Sequence, residues 1–264
     1  VIALRQDNGQ EAWRATVSSE VLAAPRAAAG VVVVRSIDGK FTGFDARSGE
    51  RIWTYTYAMP ALSLRGSAPP LVTREVVIAG LDSGKLLVLS LAKGLPITEK
   101  TIAASRGRTE IERLIDIDAE PRVFGDTLYL AAYRGNVVAI DMRSGNLVWN
   151  RDLSSYAGLD VDAGQVYVSE ESDAVLALDR RNGGTLWKQA DMTGRRLSAP
   201  AASGDYVVVG DFEGYLHWLR KDDGSIVGRI RAASKGIAAP PLSAGDIIFA
   251  LDQDGTLGAF RAGG

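Results

Sequence analysis

Residues 31–53 read VVVVRSIDGKFTGFDARSGERIW, and this stretch decides the fold. Val31 to Val34 form a short β-branched run, suited to a strand buried on both faces. Asp38-Gly39 follows and predicts a two-residue hairpin turn in which glycine supplies the positive φ. A second, alternating strand starts at Phe41. A further turn spans Asp45 to Gly49, where the carboxylate can accept turn N–H groups and the glycine can take the left-handed position. Trp53 then falls on an outer strand, where its ring can pack against a neighbouring layer.

The pattern repeats along the chain. Apolar runs recur at Val76 to Ile78, Val207 to Val209 and Ile247 to Phe249. Hairpin signals follow at Ser83-Gly84, Arg134-Gly135, Glu213-Gly214 and Asp254-Gly255, and alternating strands start at Leu86, Val137, Tyr215 and Leu257. The second turn recurs at Asp141 to Gly145 and Asp179 to Gly183. The closing G-x-x-x-W element recurs as Gly9 with Trp13, Gly145 with Trp149 and Gly183 with Trp187, and is degenerate at Gly94 to Thr98 and Gly224 to Gly228. The slots at 13, 53, 98, 149, 187 and 228 give a mean interval of 43 residues, the length of a propeller blade. The expected fold is all-β: a β-propeller of four-stranded antiparallel blades, with strand runs at about 21–53, 67–98, 117–149, 158–187, 197–228 and 237–260. No segment holds an i, i+3, i+4, i+7 apolar pattern for three turns, so a helical reading fails.

The ends carry a further expectation. Val1 to Trp13 reads as the last two strands of an earlier blade, and the chain stops before an outer strand for its last one. A propeller ring needs its last blade closed. Residues 1–264 are therefore expected to form a single β-propeller domain that lacks its N-terminal blade or blades.

Composition narrows function by exclusion. Of 264 residues, 46% are apolar and 23% charged, as in a globular chain, and the net charge of −2 argues against a dedicated nucleic-acid binder. Cysteine is absent, which removes disulfides and thiolate metal sites. No apolar run is long enough to span a bilayer as a helix. There is no nucleophile elbow, zinc-protease helix, phosphate loop or dinucleotide fingerprint. Asp45, Asp141 and Asp179 recur at repeat spacing and read as turn residues, not a metal cluster. His217, the one histidine, alternates with Leu216 and Trp218 in a strand and reads as structural.

A repeat protein shows its function where it departs from its own pattern. From each outer-strand slot to the next blade's proline, the connections Trp13 to Pro25, Trp187 to Pro200 and Gly228 to Pro240 span 12, 13 and 12 residues, whereas Trp53 to Pro69 spans 16 and Thr98 to Pro121 spans 23. These two extended connections are consecutive, so they are expected side by side on one end of the blades, where binding faces often lie. The first offers Leu62, Leu64 and Arg65. The second offers Thr109 and Glu112 as a capping box, Ile111 and Leu114 on one side of a short helical turn, then Asp116 and Asp118. Arginine beside leucines suits an interface, and neighbouring carboxylates can hold that arginine or accept a partner's N–H groups. Two other readings stay open: Leu62 and Leu64 pack their loop onto the blades, and Asp118 lines the central channel. Lys40, in the Asp38-Gly39 turn region, is expected at the opposite end and serves as a control.

The segments from Met59 to Pro69, Thr109 to Asp118 and Gly210 to Leu216 resemble the BamB family, periplasmic lipoproteins of the outer-membrane β-barrel assembly machinery. That resemblance implies an eight-bladed propeller that binds the POTRA domains of BamA, works with other assembly-machinery subunits and with unfolded outer-membrane proteins, and assists barrel insertion. It implies no catalysis and no cofactor or metal. The location implied is the periplasmic side of the outer membrane, with membrane attachment through an N-terminal lipid. The residues matching the family's partner-binding set are Leu62, Leu64, Arg65, Asp116 and Asp118. Two rivals share the repeat: quinoprotein dehydrogenases, which need a quinone, calcium and a convergent polar clamp that cannot be assembled here, and peptide-binding propellers with an unrelated partner.

Overall fold

The computed structural model describes residues 1–59, 68–102, 117, 119–237 and 239–261. Among these the regular secondary structure is all strand, and no helix is long and apolar enough to cross a membrane. The chain divides into two compact units, Val1–Pro121 and Arg122–Gly264.

The first unit opens with a two-stranded sheet, β1 (Ile2–Leu4) and β2 (Glu11–Arg14). Two four-stranded antiparallel meanders follow: β3 (Arg26–Ala28), β4 (Val31–Ser36), β5 (Lys40–Asp45) and β6 (Arg51–Thr56), then β7 (Leu71–Val72), β8 (Val76–Gly80), β9 (Lys85–Ser90) and β10 (Pro96–Thr101). The second unit holds three such sheets. They are β11 (Arg122–Phe124), β12 (Thr127–Ala131), β13 (Asn136–Asp141) and β14 (Leu147–Asp152); β15 (Gly158–Val161), β16 (Gln165–Ser169), β17 (Val175–Asp179) and β18 (Thr185–Gln189); and β19 (Ala201–Ser203), β20 (Tyr206–Gly210), β21 (Tyr215–Arg220) and β22 (Ile226–Arg231). A three-stranded sheet closes it: β23 (Leu242–Ala244), β24 (Ile247–Leu251) and β25 (Leu257–Arg261). The middle strands carry the core. Val33, Phe41, Val77, Leu87, Val138, Val166, Val208 and Leu216 are fully buried.

The tryptophans occupy one register position. Trp13, Trp53, Trp149 and Trp187 pair with Ala3, Gly43, Ala139 and Ala177 of the preceding strand, each beside a register shift that kinks the outer strand. Each indole N–H then reaches the next sheet's outer turn. Trp13 donates to Ala46 O (2.9 Å), Trp53 to Leu91 O (2.7 Å), Trp149 to Arg180 O (2.9 Å) and Trp187 to Lys221 O (2.6 Å). A glycine in the receiving turn is required, because a Cβ at Gly94 would lie 2.4 Å from the Trp53 ring. At the degenerate slots the strands still form: Thr98 pairs with Val88, and Gly228 with Trp218. In the β21–β22 pair the large and small partners have changed places. Trp218 fills the room on the inner strand, and its buried indole nitrogen has no hydrogen-bond partner.

The second-to-third-strand turns differ from the two-residue form the sequence suggested. Gly39 N–H bonds Ser36 O, Gly84 N–H bonds Leu81 O, Gly214 N–H bonds Asp211 O and Gly255 N–H bonds Asp252 O, with the glycine at positive φ. Since Ser36 pairs with Lys40, the loop has three residues, a tight turn followed by a left-handed glycine. At Arg134-Gly135 it is Arg134 that takes the positive φ, 50°. The outer turns follow expectation. The Asp45, Asp141 and Asp179 carboxylates each accept two backbone N–H groups, and the resulting bonds hold Asp45 and Asp141 below the usual carboxylate range.

Candidate functional site

The end of β8 is where the two extended connections are rooted. Arg35, at the end of the valine strand β4, is 4% exposed and points across to the next sheet. One guanidinium nitrogen donates to Tyr57 Oη (3.0 Å) and to the Asp82 carboxylate (2.5 Å). The other donates to Gly80 O (3.1 Å) and, more weakly, to Ala68 O (3.4 Å). The Phe41 and Tyr57 rings lie with their centroids 5.7 Å from the same guanidinium. Tyr57 precedes the first extended connection and Ala68 follows it, so one buried cation grips both its ends.

The second extended connection ends on the same strand terminus. Ile117 is fully buried and seated on Gly80; a Cβ at Gly80 would lie 2.3 Å from the isoleucine side chain. Ala119 is also buried, and Glu120 forms an ion pair with Arg26 at the start of β3. Leu62, Leu64, Arg65, Asp116 and Asp118 lie outside the described residues, as do Thr109, Ile111, Glu112 and Leu114. Of their described neighbours, Ile117 is seated on Gly80, and Tyr57 and Ala68 are joined to Gly80 through Arg35.

Lys40 is at this same end, contrary to the sequence reading. Tyr57 N–H bonds Gly39 O (2.9 Å), and Met59 lies against Gly39. In a four-stranded meander the second-to-third-strand turn and the exit from the fourth strand share an end, so the turn next to Lys40 meets the start of the first extended connection. The opposite end of β5 is the Asp45 to Gly49 turn, about 17–20 Å away along a six-residue strand. The exposed Arg47 there is the proper control.

A second polar cluster sits at the rim of the β19–β22 sheet. His217 is buried and bonds Asp211 Oδ2 through Nε2 (2.8 Å); Arg195 reaches the same oxygen (2.7 Å) and Glu213 (3.0 Å). Asp211 Oδ1 accepts the Glu213 and Tyr215 N–H groups. Burial pushes the Asp211 carboxyl up, but its bonds from His217, Tyr215 N–H and Arg195 outweigh this and hold it at about 2. The histidine is thus buried and satisfied, the reading its strand position suggested. Among the described residues no group of three or more His, Cys, Asp or Glu side chains could hold a metal ion.

Sequence reasoning missed Arg35 and Asp82. The available signal was a lone arginine closing a run of four valines, where the other sheets end their second strand in Gly80, Ala131, Ser169, Gly210 and Leu251.

Four-stranded antiparallel sheets in sequence, fastened by tryptophans, define a tryptophan-docked β-propeller. The profile of the family described as outer membrane protein assembly factor BamB matches residues 1–189 and 173–263. The chain belongs to the BamB family. It is 38% identical to the factor of Yersinia pestis over 98% of this chain and 66% of that one, and 42% identical to that of Xanthomonas campestris over 99% and 64%. The chain thus spans about two thirds of the length of these relatives. The crystal structure of BamB from Moraxella catarrhalis matches 99% of this chain and 78% of its own, with TM-score 0.93 and 30% identity. A computationally designed protein, Ika8, matches at TM-score 0.71 and 15% identity over 93% of this chain and 72% of its own, a likeness of fold alone.

Proposed function

We propose that this chain is a non-catalytic scaffold in outer-membrane β-barrel assembly, and that Leu62, Leu64, Arg65, Asp116 and Asp118 dock the POTRA domains of BamA. Residues 1–264 act as part of one propeller domain on the periplasmic side of the outer membrane, where the whole protein is lipid-anchored. The relatives' description as outer membrane protein assembly factors supports the process. The observation that carries the docking surface is the convergence at Gly80: the described ends of both lengthened connections meet there. Leucines from the first connection supply an apolar anchor. Arg65 supplies a charge-assisted hydrogen bond, with the carboxylates of the second connection orienting it or receiving the partner's N–H groups.

A pull-down of tandem POTRA repeats on the immobilised chain tests this. The wild-type chain is expected to retain the repeats, and Arg65→Glu to lose them. Equal retention by both, or none by the wild type, contradicts the assignment.

A further inference from the structure

We propose that the buried Arg35–Asp82 pair is a positioning device for partner docking, holding the two extended connections as one surface. This rests on the docking reading above and names the residues that set its geometry. Neither residue touches the partner.

The short connections are stitched by backbone bonds and by polar side chains of their own, such as Arg195 on Asp211 and Glu213. Between β18 and β19, Ser198 N–H bonds Gly210 O and Arg195 O accepts from Phe212 N–H. Between β22 and β23, Ile237 N–H bonds Asp211 O and Gly236 O accepts from Gln253 N–H. The connection after β6 has Tyr57 N–H on Gly39 O and, beyond that, the side chain of Arg35 on Tyr57, Ala68 and Gly80. An ion pair this deeply buried is a poor choice for stability alone, since a well-packed apolar pair serves as well or better. The other sheets do without it, with Gly80, Ala131, Ser169, Gly210 or Leu251 at the equivalent strand end. A planar fork with five donors, however, can serve the four acceptors that Arg35 meets here, one more than the three donors of an ammonium. Its acceptors here are the exit from β6, the entry to β7 and the end of β8. Gly80 serves twice, as an acceptor for Arg35 and as the seat of Ile117, so the first connection is set relative to the foot of the second.

Two variants separate positioning from folding. Arg35→Lys keeps a charge for Asp82 but gives up the fork. The double variant Arg35→Met with Asp82→Leu removes both charges together and preserves an apolar packing. Each is titrated with the POTRA region by calorimetry beside Arg65→Glu, and amide hydrogen exchange is followed at residues 57–59, 68 and 117–119. Both variants are expected to melt cooperatively near the wild type and to bind about tenfold more weakly, as when only about one molecule in ten presents the docking arrangement. Exchange is expected to quicken at Ala68. Wild-type affinity in Arg35→Lys, or unchanged exchange, overturns the proposal. If Arg65→Glu is weak while both Arg35 variants bind normally, positioning alone fails. If Arg65→Glu also binds normally, or the wild type does not bind, the docking reading fails and this proposal with it.

Discussion

At the β8–β9 turn the carboxylate Asp82 is met by an arginine from the preceding sheet, and at the corresponding β20–β21 turn Asp211 is met by His217 of its own third strand. The two sites share a buried carboxylate but use it differently. Asp211 accepts two N–H groups of its own turn and one bond from Arg195, which is 28% exposed. It fastens the turn it belongs to. Asp82 balances Arg35, whose remaining donors go to the ends of a connection from elsewhere in the chain. Asp211 receives an arginine that belongs to the neighbouring connection itself; Asp82 receives one sent from the preceding sheet, which also reaches both described ends of a connection. The ordinary β18–β19 connection is thus held by an arginine of its own, and the described ends of the lengthened one by a buried arginine from another strand.

The largest effect that can break this contrast is on stability. Asp82→Leu alone leaves the Arg35 guanidinium buried without its counter-charge, at a cost of about 3–5 kcal/mol in urea unfolding. Adding Arg35→Met should return most of it. A single-variant loss below about 1 kcal/mol would show that the two do not act as a pair.

The β20–β21 turn gives a smaller effect with a pH signature. The folded Asp211 carboxyl sits at about 2, below its unfolded value near 4, so it contributes stability above pH ~4 that is lost as pH falls towards 2. Asp211→Asn should cost about 2 kcal/mol at pH 7. The gap to wild type should close between about pH 4 and 2, and POTRA affinity should stay unchanged. A gap that persists below pH 2 would show that the loss does not come from the carboxylate's charge, and weaker binding would show that this rim too positions a partner.

The tryptophan seams offer the smallest contrast. Trp53→Phe loses the bond to Leu91 O, whereas Trp218→Phe loses no hydrogen bond and removes a buried unpartnered N–H. Trp53→Phe should therefore be the more destabilising by about 1 kcal/mol or more in thermal unfolding. Equal losses would mean that ring packing alone fastens the sheets.

These residues also show what can be read from sequence. The Trp53 slot and its glycine are legible because docking repeats at fixed spacing, and β10 and β22 form without tryptophan because backbone ladders do not depend on it. Connection lengths singled out two lengthened connections whose described ends meet at Gly80; the residues they nominated lie outside the described ones. Arg35 was not legible, since its partners Tyr57 and Asp82 lie 22 and 47 residues away and an arginine after four valines looks like an exposed strand end. Lys40 was misplaced because the end on which a turn lies depends on strand parity in the meander, which composition does not carry. The three-residue turns were misread because Asp-Gly and Glu-Gly pairs suit both two-residue turns and a tight turn followed by a left-handed glycine.

The most direct test of the docking surface is calorimetric titration of the POTRA region into the wild type, Arg65→Ala, Arg65→Glu and the opposite-end control Arg47→Ala. Truncating a central arginine costs roughly 2 kcal/mol or more, about a thirtyfold weaker complex. Arg65→Ala should show that loss with little change in melting temperature, Arg65→Glu should be weaker still because in the proposed patch it adds a like charge to those of Asp116 and Asp118, and Arg47→Ala should bind as the wild type. Wild-type affinity for folded Arg65→Glu would contradict the account.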